Sequence, residues 1–193
     1  MLSEKRQKEM FNFAGNTPLA WVASANGLVI SAQILLKKYN SVDIHGLEVG
    51  DSIPEEAQVL SSVMLLYGFG IECLLKALWL KRGNTIVDDG KYIGIEGVQD
   101  HKLHELADAS SFRISKKERE LLIRISVFIT STGRYPIAKN WNETRIKKHY
   151  KGGYGPPNYI NSGDFPLLND IVDRIQKEIE IYSKPKVLGK ADL

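Results

Sequence analysis

From Pro54 to Arg82 the chain holds the 3.6-residue period of an α-helix, and this long run constrains the fold more than any other feature. Leu60, Met64, Ile71, Leu74, Leu75, Leu78 and Trp79 recur along it as an apolar stripe. Pro54 opens it, followed by Glu55 and Glu56 in the first turn, where the helix dipole favours anions. Lys81, Arg82 and the pair Gly83-Asn84 suit its C-terminal end. Such a helix cannot bury its stripe alone. It requires other helices laid along it.

Four further helical stretches meet that need. The first begins at Thr17-Pro18, an N-cap residue followed by proline, and runs to Tyr39. A short one spans Lys102 to Ala109. Another opens at Ser115, where SKKE places Glu118 in a capping box, and continues to Gly133. The last starts with Asp164 as its expected N-cap and repeats Leu167, Leu168, Ile171, Ile175, Ile179 and Tyr182 at helical spacing. Residues 40–53 form a Gly-, Asp- and Ser-rich loop, Gly90, Gly94 and Gly97 punctuate another, and 134–164 reads as irregular. With no strand alternation, the expectation is an all-α fold, an antiparallel up-and-down bundle of four or five helices. Its parts are an N-terminal extension (1–16), the bundle (17–183) with a basic loop at 134–164, and a flexible tail (184–193).

Composition narrows the setting. Cys73 is the only cysteine, which excludes an intrachain disulfide and a thiolate-rich zinc site and makes a reducing, cytoplasmic setting the natural reading. The opening MLSEKRQKEMFNF lacks the apolar core of a secretory signal. Pro18 to Leu36 carries no charge and nearly reaches membrane-spanning length. However, Ser24, Asn26, Ser31 and Gln33 are unfavourable in hydrocarbon, and lysines flank only its C-terminal end. A buried helix, with no membrane contact, is the expectation.

The chemistry-bearing residues of the long helix read two ways. Glu72 and Lys76 stand four apart and can pair on one face, either as part of a site or, the favoured reading, as an ion pair at the bundle edge. Cys73 reads as a small core residue, and Gly68 and Gly70 as a place where another helix approaches closely. His101 and His104 share a helical face, yet no acid or cysteine stands at ligand spacing from them. In addition, Asp108 occupies the second histidine position of a zinc-protease HExxH. A cap at His101 and a half-buried His104 are expected, with no metal and no cofactor.

GIECLLKALWLKRGN, then HKLHELAD, then SKKERELLIRISVFITSTGRYP resemble, in that order, the HEPN (higher eukaryote and prokaryote nucleotide-binding) helical domains. The resemblance covers residues 61–136, with Thr17 to Tyr39 as the first bundle helix. It implies a helical bundle that commonly forms a homodimer. It also implies, for many members, a metal-independent endoribonuclease in which Arg, four to six residues and then His meet their counterparts across the dimer. Histidine would exchange a proton with the sugar hydroxyl or leaving oxygen, and arginine would stabilise phosphoryl charge. The match here is RIKKHY, an Arg-x3-His in which Arg145 and His149 would share a face if helical. They are the catalytic candidates. Whether the chain is an enzyme stays open. A toxin or defence role, with a cognate nucleotidyltransferase-like antitoxin as partner, belongs to the same implication.

The same segment points to nucleic acid on its own chemistry. Arg134, Lys139, Arg145, Lys147, Lys148 and Lys151 stand against the single acid Glu143, a local charge of +5 that leaves the remainder of the chain at −2. Tyr135, Trp141, Tyr150 and Tyr154 are interleaved, offering rings for stacking beside cations for phosphates. Candidate RNA- or nucleotide-binding residues are therefore Arg134, Tyr135, Lys139, Trp141, Lys147, Lys148, Tyr150 and Lys151. The other reading is a solvated loop with ordinary lysines. In that case the chain is a non-catalytic protein-interaction module or dimeric scaffold.

Overall fold

Asn16 joins the first two helices and at the same time holds a hairpin seventy residues away. Its Oδ1 accepts from the backbone of Ile86 and Val87 at 2.9 and 3.1 Å, and its Nδ2 donates to the Val87 carbonyl at 2.7 Å. The computed structural model describes residues 2–42, 52, 54–132, 141–148, 152–157 and 159–181. The helices are α1 (Glu4–Gly15), α2 (Pro18–Tyr39), α3 (Glu55–Gln58), α4 (Leu60–Lys81), α5 (Leu103–Ala109), α6 (Lys116–Val127) and α7 (Asp164–Ile181). Two minimal antiparallel pairs accompany them: β1 (Val87–Asp88) with β2 (Lys91–Tyr92), and β3 (Lys147–Lys148) with β4 (Tyr154–Gly155). The fold is predominantly helical.

The long helix is the axis of the core. Met64, Tyr67, Ile71, Leu74, Leu75 and Leu78 of α4 are fully buried, and α2, α5, α6 and α7 all pack on it. Each such aliphatic side chain contributes about 1.5–3 kcal/mol by leaving water. The two glycines mark close approaches, as their spacing suggests. A Cβ on Gly68 would stand 2.6 Å from Ile129, and one on Gly70 would stand 2.8 Å from Val29 of α2. Val59 interrupts the N-terminal end, so the single run read from the sequence is a short helix followed by a long one.

Several expectations change in detail. Residues 4–15 form a helix with Ser3 as N-cap rather than a plain extension. The Ser115 capping box is present, but α6 passes into a π-helical turn (Phe128–Thr132), in which Thr130 and Ser131 hydroxyls donate back to the Ser126 and Val127 carbonyls. Asp164 does not cap α7 from outside. It is the first helical residue, and its carboxylate is taken by Arg124. Nor is α2 a buried helix. Ala25, Val29 and Ala32 pack inward, but only 22% of its most apolar window is buried. By length and composition, Pro18–Tyr39 and Glu55–Lys81 could each cross a membrane; the second window is 72% buried inside the protein.

Candidate functional site

Glu72 and Lys76 do pair, at 2.5 Å, but not at the edge of the molecule. Both side chains are more than nine-tenths buried. A buried pair needs further partners to satisfy its remaining hydrogen-bonding capacity, and the connection from β1 to α5 supplies them. Glu72 Oε2 lies 2.7 Å from His101 Nδ1, and Lys76 Nζ donates to Asp100 Oδ1 at 3.0 Å. Tyr92 donates from its hydroxyl to the same Asp100 oxygen at 2.8 Å. The ammonium also lies 5.5 Å from the Trp21 ring centroid and 5.2 Å from that of Tyr92.

The electrostatics follow from this packing. Burial works against the charge on Lys76, but the Glu72 carboxylate and the hydrogen-bonding contacts with Glu72, Tyr92 and Asp100 together outweigh it and raise the lysine pKa. Burial alone would raise Asp100. Hydrogen bonds from Lys76 and Tyr92 reverse that and hold it below the usual carboxylate range. Tyr92 is pushed up to about 12, first by burial and then by its bond to Asp100. The Cys73 thiol is pushed up to about 11 by burial and by the Glu72 charge.

His101 and His104 do not converge. His101 adopts φ 71° ahead of α5, with Lys102 in the N-cap place, so the cap expected of it is absent. His104 lies 3.7 Å from Glu105, and burial lowers its pKa. Among the described residues no group of three or more His, Cys, Asp or Glu side chains is placed to hold a metal ion. Lys76 spends its charge on Glu72 and Asp100, so the cluster offers no spare cation to an anionic ligand. Cavities of about 410 Å³ (between α2, α4 and α7) and about 530 Å³ (beside Trp79 and Asn84) lie away from it. Its chemistry is that of a lock fastening residues 86–102 to α4.

The basic-aromatic segment has the opposite character. After a 3₁₀ turn (Trp141–Thr144), Arg145, Ile146, Lys147 and Lys148 are all exposed. Trp141 is 68% and Tyr154 73% exposed, unusual for rings that could have been buried. The Arg145 guanidinium lies 5.2 Å from the Trp141 ring centroid. Strand pairing sets Lys148 directly opposite Tyr154, and Lys147 opposite Gly155. The structure therefore brings together Trp141, Arg145, Lys147 and Lys148, with Tyr154 added. Residues 145–146 are irregular and 147–148 are strand. His149, Tyr150 and Lys151, with Arg134, Tyr135 and Lys139, lie outside the described residues.

The far side of this hairpin is fixed to the core. Arg124 donates to the Tyr159 carbonyl at 2.7 Å, lies 4.0 Å from that ring's centroid, and pairs with Asp164. Tyr159 donates from its hydroxyl to Glu120 at 2.8 Å, and burial pushes its pKa up to about 12. Sequence reading missed Tyr92, Asp100 and Trp21 in the lock and Arg124 and Tyr159 in the anchor. Tyr92 and Asp100 are eight residues apart in the connection leading to α5, and the others meet their partners from separate segments, so no helical or strand spacing signals them.

No family model, no curated protein and no solved structure matches the chain.

Proposed function

We propose that the chain is a HEPN-like helical-bundle protein that binds RNA or a nucleotide through its exposed hairpin. The observation that carries this reading is the company kept by Trp141 and Tyr154. Both rings face water beside Arg145, Lys147 and Lys148, on a segment anchored through Tyr159. An exposed ring among cations is what a stacked base with its phosphate requires. Base–ring stacking contributes about 1–3 kcal/mol per base, and the cations add a salt-dependent phosphate term.

Binding of a fluorescein-labelled single-stranded RNA, followed by anisotropy at about 50 and 200 mM salt, tests it. Affinity should fall steeply with salt. The Lys147→Glu/Lys148→Glu variant should flatten that dependence, and Trp141→Ala should weaken binding at both salt levels. No binding at the lower salt would overturn the reading. It would favour the alternative of a non-catalytic interaction module.

A further inference from the structure

The cavity of about 410 Å³ between α2, α4 and the start of α7 falls within the roughly 300–1,000 Å³ of small-molecule sites. Leu36 of α2, Leu60 of α4 and Ile160, Phe165 and Pro166 give it an apolar wall. Tyr39, Asn40, Asn161, Ser162 and Asn169 supply its polar groups. None of the described residues that line it is charged.

Asn169 is the fixed element of this wall. Its Oδ1 accepts from the Tyr67 hydroxyl at 2.7 Å and from Gln33 Nε2 at 3.2 Å, so the amide is held in one orientation. Tyr67 is fully buried in the core, which fixes that donor in turn. With Oδ1 turned to Tyr67, the end left to face the cavity is Nδ2. Its two hydrogens have no acceptor among the described residues. An oriented donor in an otherwise apolar wall is what sets a ligand's position and specificity.

The nearby charges are already taken. Asp164 opens α7 beside the cavity, but its carboxylate accepts from Arg124 and from the Asn161 backbone, the latter at 3.0 Å. It thereby occupies the place where the helix N-terminus would hold an anion. Lys38 pairs with Glu56 at 3.3 Å. A charged guest would therefore lose its hydration and gain no counter-charge. A purely apolar guest would strip water from Asn169 Nδ2 and offer no acceptor. An uncharged body that carries a carbonyl meets both conditions.

We propose that this cavity binds an uncharged, carboxamide-bearing small molecule. Its carbonyl accepts from Asn169 Nδ2, and its apolar body packs on Leu36, Leu60 and Phe165. The hydroxyls of Tyr39 and Ser162, which hold no hydrogen bond among the described residues, are the acceptors open to the amide N–H. Such a ligand is chemically unlike the charged RNA or nucleotide assigned to the hairpin, and the inference does not rest on that assignment.

Proton–nitrogen correlation spectra of the full chain test it, with hexanamide, benzamide and phenylacetamide each titrated beside its own carboxylate (hexanoate, benzoate, phenylacetate). The Asn169 side-chain resonance is identified by its loss in Tyr67→Phe/Asn169→Leu, a double variant that leaves no buried tyrosine hydroxyl without its acceptor. At least one amide should move that resonance saturably, and the matching carboxylate should bind at least about tenfold more weakly. In the double variant the same amide, followed at the Phe165 backbone, should bind about tenfold more weakly, the loss of one hydrogen bond. Leu36→Trp, which fills the cavity and leaves Asn169 in place, should abolish the titration. No response to any of the three amides, or equal affinity for amide and carboxylate, would overturn the proposal. So would an Asn169 amide already protected from hydrogen exchange in the free protein, because the chain would then fill its own cavity.

Discussion

Arg124 and Asp164 meet as a two-point ion pair, Nη1 to Oδ2 at 2.8 Å and Nη2 to Oδ1 at 2.7 Å, with both side chains more than nine-tenths buried. The pair ties α6 to the start of α7 and, through the Tyr159 carbonyl, to the end of the exposed hairpin. Removing one charge leaves the other buried and alone. Asp164→Asn should therefore cost about 3–5 kcal/mol in urea unfolding, whereas Arg124→Met/Asp164→Leu should cost clearly less than Asp164→Asn. If the double variant is the less stable, the pair's hydrogen bonds matter more than its charges.

A second prediction concerns alkaline pH. Lys76 and Tyr92 both have folded pKa values above their unfolded ones. The folded state thus keeps protons that the unfolded chain releases. Their stabilisation is complete below about pH 10, the unfolded tyrosine and lysine range, and is lost as pH rises through the folded values. The wild-type urea midpoint should fall between about pH 10 and 12. Lys76→Met should lower the midpoint at every pH and make that decline shallower. Tyr92→Phe should remove one late-titrating phenol from the absorbance at 295 nm. An equally steep decline in Lys76→Met would contradict the role assigned to the lysine.

Cys73 offers a third test from the same cluster. With the thiol pushed up to about 11 by burial and the Glu72 charge, little thiolate exists at pH 8. Reaction with a disulfide reagent should be on the order of a hundredfold slower than in the urea-unfolded chain, since the thiolate is the reacting form. Glu72→Gln removes the charge while leaving the burial, so it should speed the folded-state reaction. An unchanged rate in Glu72→Gln would leave burial as the whole cause.

What the sequence made legible, and what it did not, follows from where the partners lie. The α4 stripe, the Ser115 capping box, the i,i+4 pair and the two close-approach glycines are local, written within a few residues of one another, and all are present. The burial of Glu72 and Lys76 was not legible, because it depends on Asp100, His101 and Tyr92 arriving from another segment. The exposure of α2 was hidden for a related reason. An uncharged helix looks the same whether its faces meet its own chain or something else, and only the placement of Ala25, Val29 and Ala32 against α4 separates the two. The basic-aromatic character of 134–154 was plain in composition, but the pairing of Lys148 with Tyr154 needed the hairpin.

Gly68 supplies the last prediction. A Cβ at this position would lie 2.6 Å from Ile129 Cγ1 and 2.7 Å from both Ile129 Cδ1 and Ile125 Cγ2, so something must shift. Two effects compete in Gly68→Ala. Alanine favours the helix by about 1 kcal/mol over glycine, while forcing a methyl group into a filled core costs about 1–3 kcal/mol. Both isoleucines belong to the buried core, and Ile129 sits in the π-helical turn, so little room exists for retreat and the clash should win. Gly68→Ala should lower stability by about 1–2 kcal/mol. Ile129→Val deletes the Cδ1 atom in conflict, so the two changes together should cost less than the sum of the two alone, a coupling that a double-mutant cycle in urea would register. Strict additivity would mean that the helices part at this contact without strain, and that the glycine is there for some reason other than the approach of α6.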